Sequence, residues 1–373
     1  MKQSILIVAM LALSVPAYAQ FGVLDKGLKR AQQVKDAKNK FDDLNVTEDE
    51  ERKIGEDVSA KVRARFGVVQ DAAIHKYVTL VGTVLAQESE RPKLNWTFIV
   101  LDTDGVNAFA SPGGIVHITR GALGLIQNEA ELAGVLGHEI GHVAHKHTVN
   151  AIRKNKAVQL GTNETLSDRA PFLDKIANKA YEMVLENKFD LGDEMDADKQ
   201  GVALAEKAGY APGALGEFLA RLDDRNKDQP ASNGLFASHP DTKARIDAIR
   251  KLAGTKTGAL VAARYKTNVK YEPTPITAIA TVVDGSSGLT GSTAPAKDDK
   301  NGGKKEEQPK KKGFGLGAVT QTSAPERQTA QVQASGGSRG IGPDRAAKGG
   351  SNANPVKVAV NDQDVAAFKK GIA

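Results

Sequence analysis

His138-Glu139-Ile140-Gly141-His142 places two imidazoles and one carboxylate within five residues. On a helix, positions i and i+4 share a face about one turn apart, so both histidines can reach a single ion. Glu139 stands beside them and can accept a proton from water activated at that ion. The pattern points to metal-assisted peptide hydrolysis, with zinc as the metal and one protein ligand still to be found. The same string on an exposed helix would be scattered histidines and a charge, so the flanking elements decide its meaning.

Those elements favour a helix. Asn128 followed by Glu131 is an N-cap and capping-box pair, and Leu132, Val135, Leu136 and Val143 then recur at helical spacing. Four of the seven histidines lie between His138 and His147. His145 lies on nearly the face of His138 but about 10 Å along a regular helix, too far to share its ion. The metzincin pattern needs glycine at His145 and histidine at Thr148, which excludes that class. His145 and His147 are therefore expected to be solvated or to stand behind the ligands. Downstream, Asp193-Glu194-Met195-Asp196-Ala197-Asp198 leads into Gly201-Val202-Ala203-Leu204-Ala205, a second helix. Glu194 and Asp198 are one turn apart there, which suits one carboxylate on the metal and a second holding a ligand histidine. Alone, such a stretch is commonly a solvated, dipole-favoured first turn. Beside a site that lacks an anionic ligand, the coordinating reading is preferred.

Taken together, His-Glu-Ile-Gly-His and Glu194-x-x-Ala197-Asp198 resemble the gluzincin metalloendopeptidases of the HtpX and CAAX-prenyl-protease type, and more closely their soluble periplasmic bacterial members. Val106-Asn107-Ala108-Phe109-Ala110-Ser111-Pro112-Gly113-Gly114 is similar to another segment of that family. Thr119-Arg120-Gly121-Ala122-Leu123, Asn128-Glu129-Ala130-Glu131-Leu132-Ala133 and Ser238-His239-Pro240 with Arg245-Ile246 follow in the family's order. The resemblance runs from about Glu48 to about Leu252. It implies one Zn2+ per chain on His138, His142 and Glu194, with Glu139 as general base and Asp198 orienting a ligand histidine or donating a proton. His239 is the candidate oxyanion partner, with an inhibitory ligand or a packing residue as its other readings. Members of the HtpX type carry transmembrane helices, whereas no run between His147 and Glu194 is long and apolar enough to span a bilayer. Ala151 to Leu160 and Lys175 to Leu185 read instead as short amphipathic helices.

Substrate binding has its own signal. Trp96 to Asp102 and Ile115 to Thr119 read as strands flanking the Pro112-Gly113-Gly114 turn. An edge strand there would hold an extended peptide by its main chain, favouring broad action on unfolded chains; a core hairpin is the plainer alternative.

The remaining organisation is read from composition. Residues 1–19 form a secretory signal peptide, with Lys2, an apolar run from Ile5 to Val15 and an Ala17-Tyr18-Ala19 cleavage site. With Gln20 next and no cysteine in the chain, neither a lipid anchor nor a disulfide is expected, and the mature protein is expected in the periplasm. Residues 20–47 fit an amphipathic basic helix. Residues 48–284 hold enough apolar content for one helix-rich α+β domain, for which the resemblance implies a zincin-like metallopeptidase with a small edge sheet. Residues 285–355 read as a disordered basic Gly/Ser/Lys-rich linker and 356–373 as a short C-terminal element.

The net charge of +6 belongs to residues 286–373, which hold fourteen Lys+Arg and eight Asp+Glu, leaving thirty-seven of each elsewhere. A basic tail on a neutral enzyme fits contact with an anionic membrane surface, or simple solubilisation. Nucleic acid is not expected as a partner, since the basic residues lack interleaved aromatics. The expected function is a zinc endopeptidase acting on unfolded or misfolded envelope proteins. A chaperone-like binding protein with a latent metal site is the alternative, and a peptidase for lipoproteins or cell-wall peptides is a third reading.

Overall fold

A computed structural model describes residues 45–159, 169–185, 189–226, 242–275 and 352–372. Residues 1–19, where a signal peptide is expected, residues 20–44, His239 and residues 285–351 lie outside the described residues.

Helix α1 (Glu48–Phe66) begins in a capping box, in which Thr47 Oγ1 accepts from Glu50 N–H and Thr47 N–H donates to the Glu50 carboxylate. Helix α2 (Ala72–Ala86) is capped by Asp71. Three strands follow, β1 (Thr97–Leu101), β2 (Ala108–Ser111) and β3 (Ile115–Thr119), in the order β1-β3-β2. β1 is parallel to β3, pairing Thr97 with Ile115 and Leu101 with Thr119, while β2 is antiparallel to β3, pairing Ser111 with Ile115. The Pro112-Gly113-Gly114 turn therefore joins β3 to β2 and not to β1. β2 carries no long β-branched run, so sequence reading passed over it. Gly113 and Gly114 have φ of 72° and 95°, and a Cβ at Gly113 would sit 2.5 Å from Arg52 Cα.

Alternate residues along the strands enter two cores. Phe98, Val100, Ala108, Val116 and Ile118 join one core with α2 and the helix Glu129–Ala144, and Ile99, Leu101, Phe109 and Ile115 join a second with α1 and the helix Arg169–Leu185. This two-sided burial explains the unbroken apolar run of β1.

After α3 (Arg120–Leu125), helix α4 (Glu129–Ala144) runs through the interior with every residue from Glu129 to Val143 buried. Helices α5 (His147–Gln159), α6 (Arg169–Leu185), α7 (Leu191–Lys207), α8 (Ala214–Asn226), α9 (Thr242–Ala253) and α10 (Ala262–Asn268) complete the domain. α5 and α6 are longer than the two amphipathic stretches expected there. A last helix, α11 (Asp362–Lys370), docks on the first core through Val365 and Ile372. In the segment leading to it, the Asn352 carbonyl accepts from Val68 N–H. Among the described residues no helix is long and apolar enough to cross a membrane.

α4 and α7 pack backbone to backbone. Gly137 and Gly201 face each other, where a Cβ on Gly137 would lie 3.1 Å from Gly201 Cα, and one on Gly201 3.0 Å from His138 N. That close approach lets one turn of α7 reach the histidines of α4.

Candidate metal centre

Asn128 caps α4 by accepting from Glu131 N–H, as the sequence predicts, but the Glu131 carboxylate accepts from Gln127 N–H rather than from the cap's own N–H. The helix so started carries His138, Glu139 and His142 into the interior, all three buried. His138 Nε2 and His142 Nε2 stand 3.0 Å apart. From α7, capped by Asp190, Glu194 brings its two carboxylate oxygens to 3.6 Å from His138 Nε2 and 3.5 Å from His142 Nε2. Asp198, one turn on, stands 2.9 Å from His138 Nδ1. His138 therefore donates through Nδ1–H to Asp198 and turns the lone pair of Nε2 inward, the tautomer that ligates a metal. The ring of Phe189 covers His142 with centroids 4.3 Å apart.

Arg245 closes the arrangement from α9. Its Nε and Nη2 donate to the two oxygens of Asp198 at 2.8 and 2.7 Å, and its Nη1 lies 2.8 Å from Glu194. The side chain is only 2% exposed. This fork fixes both acidic residues at once, with the planar bidentate geometry that arginine supplies.

The electrostatics test whether a cation belongs here. Glu139, Glu194 and Asp198 are three buried carboxylates beside one buried guanidinium. With the imidazoles neutral, one negative charge is left over when Glu139 is protonated and two when it is ionised, an excess that a divalent ion would neutralise. Burial lowers the His138 imidazole to about 3 against the Asp198 hydrogen bond, keeping it in the neutral, ligating form. Burial also lifts the Glu139 carboxyl to about 7, with His142 opposing and Glu194 adding to the lift. Burial acts on Asp198 in the same direction, but the Arg245 guanidinium and then His138 outweigh it and hold that carboxyl well below the usual range. Tetrahedral arms of about 2.0–2.1 Å separate two donors by about 3.3 Å. The observed separations of 3.0, 3.5 and 3.6 Å bracket that value. His138, His142 and Glu194 could therefore hold one zinc ion.

Comparison with known proteins agrees with this geometry. Residues 72–253 match Peptidase family M48. The chain carries a Peptidase family M48 domain. It is 24% identical over 217 residues to a beta-barrel assembly-enhancing protease of Yersinia pestis, covering 55% of this chain and 44% of the relative. It is 25% identical over 227 residues to the mitochondrial metalloendopeptidase OMA1 of Arabidopsis thaliana, covering 60% and 42%. It is 29% identical over 155 residues to the metalloprotease YcaL of Escherichia coli K12, covering 40% and 58%. The chain thus spans less than half the length of the first of these relatives.

Within the M48 domain, the five residues singled out from sequence come together: His138, Glu139 and His142 on α4, Glu194 and Asp198 on α7. His239 lies outside the described residues. Arg245 was noted only as part of a resembling segment, yet it is the cation that holds both acidic residues. A signal for it exists, because Thr242, Arg245, Ile246, Ile249 and Ala253 form the buried stripe of α9. An arginine inside such a stripe needs a buried anion to face. Of the two readings of His147, the structure favours a place behind the ligands over solvation: it is buried, with Nδ1 3.0 Å from His142 Nδ1. α4 ends before His145, and Lys146 at φ 55° reverses the chain, so helical geometry no longer places either residue.

Proposed function

We propose that this chain is a zinc-dependent endopeptidase of the periplasm that hydrolyses peptide bonds of unfolded or misfolded envelope proteins. The observation that carries the reading is the buried set of two inward-facing imidazole nitrogens, three carboxylates and one guanidinium, whose excess negative charge a dication would neutralise. His138, His142 and Glu194 would hold a zinc ion, which when bound would supply Lewis acidity and acidify the attacking water. Glu139 would accept a proton as the water attacks and return it to the leaving amine. A carboxyl group that burial lifts toward neutrality suits both halves of that exchange. Asp198 keeps His138 in its ligating tautomer, and Arg245 keeps Asp198 ionised and holds both Asp198 and Glu194 in place.

The substrate reading rests on β2. It is an edge strand in the sheet's order, and its Ala110-Ser111 end lines one cavity with His142, Val143 and Thr148. All four β2 residues are buried against neighbouring helices, so an extended peptide would pair along that edge only once the covering helices draw back; such main-chain pairing asks little of the peptide's sequence and demands that it be unfolded. The family relatives named as assembly-enhancing proteases of β-barrels are consistent with envelope substrates, and the export signal read in residues 1–19 with a periplasmic site of action.

The test compares the purified, zinc-loaded protein with Glu139→Gln on casein and on a disulfide-bonded substrate before and after reduction. The variant should lose about 10²–10⁴ in rate while keeping its zinc, and cleavage should require the unfolded substrate. Equal activity in both proteins would refute the mechanism. Suppression of envelope stress by Glu139→Gln as fully as by the wild type would favour the chaperone-like alternative.

A further inference from the structure

A second group of metal-binding side chains lies outside the buried centre. On a continuing helix, His145 and His147 would point about 200° apart. Instead α4 ends at Ala144, and Lys146 adopts a left-handed φ of 55°, uncommon for a residue with a side chain. The turn aims both histidines at one carboxylate of α7. Asp196 Oδ2 touches His145 Nδ1 and stands 3.2 Å from His147 Nε2. Asp193 Oδ1 lies 3.9 Å from the same Nε2. The donor atoms of His145, His147 and Asp196 all fall within 4.8 Å of one another.

Each ring is also held from behind. His145 Nε2 faces Glu90 Oε2 at 3.3 Å and the Gln200 amide at 3.1 Å, while His147 Nδ1 faces His142 Nδ1 at 3.0 Å. One nitrogen converging on a shared point and the other fixed by a polar partner is the arrangement of ligating histidines. Unlike the inner set, this one is open to solvent, with side-chain exposures of 21% for His145, 7% for His147 and 38% for Asp196.

We propose that His145, His147 and Asp196 form an outer divalent-cation site, coupled to the buried centre through the His147–His142 contact. Two imidazoles and one carboxylate select zinc or another late first-row ion over magnesium or calcium. The outer site stands on its own geometry; the coupling rests also on the reading of His142 as an inner ligand. The 3.0 Å contact between His147 Nδ1 and His142 Nδ1 joins the two sets directly, so an ion on one set is felt through the ring that serves the other.

The test is equilibrium dialysis of the purified protein against Zn2+ and Co2+, with metal content and the visible Co2+ bands as readouts. The wild type should take up two equivalents, the second more weakly. His145→Ala and Asp196→Asn, on different helices, should keep the tight equivalent and weaken the outer one by at least about tenfold, the lower end of what even an outer-shell partner's loss costs. The Co2+ bands of the first equivalent should shift on adding a second to the wild type and not to His145→Ala. Saturation of the wild type at one equivalent would overturn the proposal, as would two equivalents that survive both substitutions. In Glu194→Ala the tight equivalent should vanish and the weak one persist. Should Glu194→Ala lose nothing while His145→Ala loses one equivalent, the inner assignment fails and the outer site stands.

Discussion

Replacing Gly201 with alanine perturbs the point where α4 and α7 come closest. The new Cβ would lie 3.0 Å from His138 N, 3.2 Å from the Gly134 carbonyl oxygen and 3.4 Å from Gly137 C, all backbone atoms that no rotamer change can move. Ordinary contact distances are about 3.5–4.0 Å, so α7 must retreat by about 0.5 Å. Overpacking of this kind costs about 1–3 kcal/mol, and the upper half applies because the opposing wall is main chain. The gain in helix propensity from Gly to Ala offsets about 1 kcal/mol, leaving a net loss of about 1–2 kcal/mol. For a domain of about 150–250 residues that lowers Tm by about 2–8 °C. The metal centre should suffer more than the fold, because α4 supplies two candidate ligands and α7 the third, and metal–ligand distances tolerate only about 0.2 Å. Zinc affinity should fall by about 10–100-fold, the range seen when support around a ligand is lost. Gly192 on the same helix is the control. The nearest atom to its Cβ would be the Asp190 side-chain Oδ1 at 3.1 Å, so Gly192→Ala should be neutral or mildly stabilising. Melting curves and competitive zinc titration of both variants decide the matter. A Gly201→Ala protein that melts at or above the wild type with unchanged zinc affinity would show that helix approach does not position Glu194.

Other expectations follow from buried groups away from the metal. Burial pushes His117 down to about 3, with Arg63 adding to the shift. Its folded pKa thus lies below the unfolded value of about 6.5, and the stability this contributes is present above pH 6.5 and lost as pH falls toward 3, at up to about 1.4 kcal/mol per unit. Urea unfolding at about pH 7.5 and pH 5 should show a shallower pH dependence in His117→Gln than in the wild type; parallel losses would refute this. Glu129 accepts from Tyr77 Oη–H at 2.8 Å, Tyr210 Oη–H at 2.7 Å and Arg264 Nε–H at 2.7 Å, all around a fully buried carboxylate. Glu129→Ala should cost about 1–3 kcal/mol in urea unfolding by stranding the buried Tyr77 and Tyr210 hydroxyls, and a loss under about 1 kcal/mol would mean water already compensates them. Cutting the chain after residue 351 removes the buried Val365 and Ile372, each contributing about 1.5–3 kcal/mol of burial. The truncated protein should melt at a lower temperature, and an unchanged Tm would refute docking of α11.

How far the sequence reached differs from element to element. The start of α4 was legible because Asn128 and the apolar spacing after it are local signals, although the partner of Glu131 was not. β2 was missed because Ala108-Phe109-Ala110-Ser111 has weak strand propensity and gains its conformation from pairing with β3. For His147 the choice between solvent and a place behind the ligands stayed open, because a single left-handed residue, Lys146, redirects the chain in a way that side-chain periodicity does not encode.

By itself the sequence determined which residues could do chemistry, because ligand type and i, i+4 spacing depend on a single helix. His138, Glu139 and His142 share α4, and Glu194 and Asp198 share α7, so each subset is fixed by one local geometry. Only the tertiary structure decided that the two subsets meet. Their meeting depends on Gly137 and Gly201 admitting the two backbones to contact, and on Arg245, 47 residues beyond Asp198, entering from a third helix to hold the two α7 carboxylates. Distances between elements follow from packing and charge compensation across the whole core, and no periodicity within one segment carries that information.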